Sequence, residues 1–89
     1  MGCTAADLLR CLPMALPQAT IAVDPVAGVV HAVFSDGALL LTWHSLPDRR
    51  IALLAVPRLQ VQFAYTGMAP ERRHEVQRRF DLATQRGGG

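Results

Sequence analysis

Two apolar runs separated by a turn signal constrain the fold of this chain more than any other feature. The runs Val29–Phe34 and 38–43 flank Ser35, Asp36 and Gly37. Asp-Gly between such runs is typical of a two-residue β-hairpin, because its central positions need positive φ. With Asp36 and Gly37 at the centre, Ser35 faces Ala38 and Phe34 faces Leu39. The sequence therefore predicts an antiparallel hairpin in this register.

The predicted hairpin has two faces of different character, because side chains alternate along a strand. One face is wholly apolar and is predicted to lie in the core: Val30, Ala32, Phe34, Leu39, Leu41 and Trp43. The opposite face is half apolar and carries Val29, His31, Val33, Leu40, Thr42 and His44. We expect a helix or a second copy of the protein to cover this second face. Its candidate interaction residues are Val29, His31, Val33, Leu40 and Thr42.

The segments around the hairpin supply further strands. Residues 20–23 read as a short strand, and 45–50 as a polar loop. The unbroken apolar run 51–56 predicts a strand that is buried on both sides. Residues 58–65 alternate strictly and predict a half-exposed antiparallel strand.

A helix is expected at each end of the chain. Thr4 and Asp7 form a helix-start signature, and Pro13 and Pro17 are expected to end that helix. Pro70 and Glu71 favour the start of the second helix, whose apolar stripe is Val76, Phe80 and Ala83, with Leu82 beside it. The order α-β-β-β-β-β-α predicts a two-layer α+β fold with an antiparallel meander of four or five strands.

The length of 89 residues allows one domain, predicted over residues 1–86, with a flexible glycine tail at 87–89. Apolar residues make up 51% and charged residues 18%, which suits a dense core and leaves room for a buried partner surface. All the positive side chains other than histidine are arginine, a usage typical of a GC-rich bacterial genome. No charged region precedes an apolar one at the N-terminus, so no secretory signal is expected. The longest apolar run is too short for a bilayer, and a cytoplasmic protein is expected.

An arginine-rich segment offers one candidate function. Acidic residues Glu71, Glu75 and Asp81 interrupt it, and Glu75 is expected to pair with Arg78 and Arg79. This mixture favours a solvated helix face. The alternative is weak, non-sequence-specific binding of nucleic acid or of an acidic partner through Arg72, Arg73, Arg78, Arg79 and Arg86.

No constellation predicts catalysis. His31 and His44 are predicted to be diagonal neighbours on the hairpin, but no third metal ligand accompanies them. Cys3 and Cys11 lack the spacing of a disulfide framework or a redox motif. We therefore predict no metal, no cofactor and no enzyme activity. The function that the sequence favours is a protein-interaction or adaptor domain that forms a homodimer.

Overall fold

The computed structural model describes residues 3–87, with side chains described for 3–84. Its elements are α1 (Ala5–Ala15), β1 (Thr20–Asp24), β2 (Val29–Phe34), β3 (Gly37–Ile51), β4 (Leu54–Thr66) and α2 (Pro70–Gly87). The strands form one antiparallel sheet in the order β1-β2-β3-β4. The predicted α+β meander with a helix at each end is confirmed, with four strands rather than five.

The β2–β3 hairpin pairs in a register that differs by two residues from the predicted one. Phe34 pairs with Gly37, so Ser35 and Asp36 form the turn. Among the described residues, positive φ occurs only at Gly28, Ala52 and Gly67, so the turn is not of the Asp-Gly type. A shift of two residues keeps every side chain on its face. The predicted core face is confirmed by burial of Val30, Ala32, Phe34, Leu39, Leu41 and Trp43.

The predicted loop at 45–50 and the buried strand at 51–56 are both wrong. β3 runs on to Ile51, the chain turns at Ala52 and Leu53, and β4 begins at Leu54. Pro47 and Asp48 fall in a β-bulge where the register shifts. A bulge accommodates a proline without ending the strand. Ala52 has φ 55°, a conformation that an alanine rarely adopts, so its residue type does not mark a turn.

Both helices lie on the same side of the sheet. Leu8 and Leu12 of α1 and Val76 and Phe80 of α2 join the core face in one buried cluster. The rings of Phe63 and Phe80 meet edge to face with centroids 4.9 Å apart, a favourable aromatic geometry. The other side of the sheet has no helix over it within the described residues.

The helix ends differ in part from expectation. Thr4 caps α1, and its side chain and that of Asp7 accept each other's backbone N–H, as the sequence predicted. Pro13 lies inside α1 instead of ending it, and the helix closes at Leu16, whose N–H donates to the Leu12 carbonyl. At the other end α2 includes Gly87, the first residue of the predicted tail. Residues 88–89 of that tail lie outside the described residues.

Candidate interaction surface

The uncovered side of the sheet holds all five residues of the predicted interaction face. We call this surface the open face and define it as Val29, His31, Val33, Leu40, Thr42 and His44. Val29 lies opposite Thr42, and His31 lies opposite Leu40. Val33 exposes 55% of its surface and Leu40 exposes 36%. Two large aliphatic side chains on neighbouring strands therefore meet solvent together.

The neighbours of the open face on β4 are small or uncharged. Ala64 lies opposite Leu40, Gln62 opposite Thr42 and Gln60 opposite His44. The paired residues that carry a full charge on this side are Asp24, Arg58 and Arg49, and all three lie outside the open face. Burying such a surface removes apolar groups from water without stranding a charge, which is the character of an interface core.

An exposed apolar hairpin extends the same sheet. We call residues 47–57 the arm; it comprises the ends of β3 and β4 beyond Leu46 and Arg58. No arm residue belongs to the core cluster. The exposed fractions are 51% for Ile51, 101% for Leu53 and 68% for Leu54. Sequence reasoning missed the arm because a run of apolar residues is the usual mark of a buried strand.

The two histidines are not brought together. His31 pairs with Leu40 and His44 pairs with Gln60. His44 therefore lies four residues beyond the partner of His31, about 13 Å along the strand at 3.3 Å per residue. The predicted diagonal contact depended on the wrong register, and one metal ion cannot bridge this distance.

Arg72 is a structural residue. Its guanidinium donates to Asp36 Oδ2 at 3.1 Å, to Glu75 Oε1 at 3.2 Å and to Gln18 Oε1 at 2.8 Å. It also lies over the ring of Phe34, 5.6 Å from the centroid. One side chain thus links α2 to the β2–β3 turn and to the segment after α1. Glu75 was predicted to pair with Arg78 and Arg79, but it pairs with Arg72.

The remaining arginines of α2 do not share one face. Successive helical residues are rotated by about 100°, so Arg73 and Arg78 lie well apart around the helix. Arg78 and Arg79 line a shallow groove of about 370 Å³ between the helices, with Met14, Glu75, Leu82 and Ala83. Arg73, Arg78 and Arg79 are exposed and form no ion pair within residues 3–84. The side chain of Arg86 lies outside the described residues.

The chemistry-bearing groups do not converge on a site. The described residues contain no group of three His, Cys, Asp or Glu side chains placed to hold a metal. Burial raises the pKa of the Cys3 thiol, which disfavours the nucleophilic thiolate. Burial, with a smaller contribution from Asp81, raises the pKa of Tyr65, whose hydroxyl donates to Gln77 Oε1 at 2.8 Å. The burial of Cys3 and the hydrogen bond of Tyr65 are those of residues that support the fold.

Comparison with protein-family models, curated proteins and solved structures found no match to this chain. Over the described residues, neither helix combines the length and apolar character needed to cross a membrane.

Proposed function

We propose that this chain is a non-catalytic protein-interaction domain that forms a homodimer, with the open face as its contact surface. The observation that carries the proposal is the placement of both helices on one side of the sheet. That placement leaves Val33 and Leu40 exposed side by side on the other. A sheet with one solvated face normally presents polar side chains there.

A second copy is the simplest partner for such a face. Most soluble oligomers are symmetric homo-oligomers, and a two-fold interface uses the same patch on both chains. The open face is suited to meeting itself because its centre carries no residue of fixed charge, so like charges are not brought together.

The substitution Leu40→Glu tests this proposal. We expect it to raise the dimer dissociation constant at least tenfold, since each copy would bury an unpaired carboxylate. Size-exclusion chromatography with light scattering measures the change, and circular dichroism checks that the protomer remains folded. Met14→Glu is the matched control, because Met14 is 72% exposed on the helix layer. A Leu40→Glu variant that dimerises as tightly as the Met14→Glu variant would contradict the proposal.

Weak nucleic-acid binding is the second candidate, and it is supported by Arg73, Arg78 and Arg79, which are exposed and form no ion pair with the side chains that the structure describes. Arg72 is committed to internal contacts, so the candidate now depends on fewer cations than the sequence offered. Fluorescence anisotropy with labelled single- and double-stranded oligonucleotides at low salt tests it. Binding that weakens steeply with added salt and is lost in Arg78→Gln/Arg79→Gln would support it. Absence of binding at low salt would remove it.

A further inference from the structure

We infer that the arm of one copy lies across the open face of a second copy, so that the two arms clasp the dimer. This inference rests on the proposed homodimer and specifies its geometry. It commits to a second copy of this chain as the occupant of both the arm and the open face.

The arm has no cover of its own. Residues 47–55 are all exposed and Val56 is half-buried. An isolated two-stranded hairpin is at best marginally stable in water, and a cluster of exposed aliphatic side chains usually marks a contact site. We therefore expect a partner to cover the exposed side chains of Ile51, Leu53 and Leu54.

The bulge places the apolar side of the arm on the same side as the open face. Leu54 and Val56 continue the alternation of Arg58, Gln60 and Gln62 on β4, so they share the side of the sheet that the helices leave uncovered. Ile51 lies opposite Leu54 and joins them, and Arg49, opposite Val56, lies on this side as well. Without the extra residue in β3, Ile51 would occupy the other side.

A strip of exposed side chains therefore runs along the sheet from one end to the other, and Arg49 and Arg58 are its charged members. It begins at Val33 and Leu40, continues through Leu46, which is 37% exposed, and ends at the arm. β3 is paired from Ala38 to Ile51, a span of about 43 Å at 3.3 Å per residue. This length agrees with the longest dimension of the molecule, 46 Å.

The area of contact favours use of the whole strip. A stable interface commonly buries about 800 Å² and uses about 20 to 30 residues on each side. The six residues of the open face fall well short of that size, and the arm supplies further apolar surface in direct continuity with them.

Symmetry then fixes how the strips meet. A two-fold axis between the sheets, perpendicular to the strands and near Ser45, reverses the strip end for end. It sets the arm of each copy over Val33 and Leu40 of the other, with the sheets about 10 Å apart as in a sandwich. Each arm covers one open face, so a single contact repeated twice accounts for both exposed regions.

Substitution of the arm gives the first test. Leu53→Glu/Leu54→Glu is expected to raise the dimer dissociation constant at least about a hundredfold, because two apolar anchors are replaced by charge. The protomer should remain folded, since neither side chain is buried within it. Met14→Glu/Leu82→Glu serves as the matched control, because both residues are exposed on the helix layer.

Distances between spin labels give the second test and define the geometry. Copies carrying Cys11→Ser are labelled singly at Leu40→Cys or at Leu53→Cys and then mixed. The clasp predicts less than about 20 Å between position 40 of one copy and position 53 of the other, and about 50 Å between the two positions 53.

The outcomes separate the clasp from the dimer itself. A wild-type chain that stays monomeric overturns both proposals. A wild-type dimer that Leu40→Glu disperses but the arm variant leaves intact overturns the clasp alone. Two positions 53 close together would show arms lying side by side, and this result would also overturn the clasp. A wild-type monomer whose arm binds a different protein would likewise contradict it.

Discussion

At the residue scale, single side chains hold the turns and helices in place. Arg72 is the clearest case, because three acceptors and one aromatic ring surround a guanidinium whose side chain is only 24% exposed. Its partners come from segments 54 and 36 residues away in the chain. The sequence showed an arginine-rich helix but not which arginine would be enclosed, since that depends on how the helix docks.

Arg72→Ala is expected to lower the free energy of unfolding by about 1 to 3 kcal/mol, through lost charge-assisted hydrogen bonds and ring contact. Urea denaturation followed by circular dichroism measures the change. The neighbouring Arg73→Ala, an exposed residue without an ion pair among the described residues, should stay within about 0.5 kcal/mol of the wild type. Equal effects of the two substitutions would show that Arg72 does not link the elements.

Asp7 gives a dependence on pH. Its hydrogen bonds with Thr4 lower the pKa of Asp7 below the ordinary value. A lowered folded-state pKa stabilises the protein above the unfolded pKa, about 3.9, and this contribution is lost as pH falls through the folded pKa. We expect Asp7→Asn to reduce the acid sensitivity of unfolding below about pH 4. Thermal melts from pH 2 to pH 7 would contradict this if both proteins lost stability in parallel.

At the element scale, the alternation along β2 and β3 predicted the core face correctly even though the register was wrong. A two-residue shift preserves the face, so Val30, Phe34 and Leu41 remained on the buried side. The arm could not be predicted in this way. Its apolar run resembled a buried strand, and Ala52 carries the turn in a conformation that its residue type does not indicate.

The stripe on α2 tests the docking of that helix. Phe80 is 1% exposed and contacts Phe63, whereas Leu82 is 49% exposed. Phe80→Ala is expected to cost about 3 to 5 kcal/mol of unfolding free energy through the cavity it leaves. Leu82→Ala should cost less than about 1 kcal/mol. Similar losses in denaturant titrations of the two variants would mean that α2 docks by a different stripe.

At the scale of the whole molecule, two helices on one layer leave the other side of a four-stranded sheet without cover from residues 3–87. The alternation along the hairpin predicted a second face that another surface would cover, and it identified the residues of that face. Which layer α1 would join depends on packing between distant segments, and the alternation of a strand carries no information about it. The arm adds a second exposed surface in line with the first, and the proposed homodimer would give both surfaces a partner.

Sedimentation equilibrium of the unmodified chain tests this account most directly. The protomer has a mass of 9.7 kDa. We predict that the mass rises to twice that of one chain as the concentration increases from about 1 to about 500 µM, following a single monomer–dimer equilibrium. A mass that stays at that of one chain across the whole range would contradict the claim that the open face is a surface of self-association.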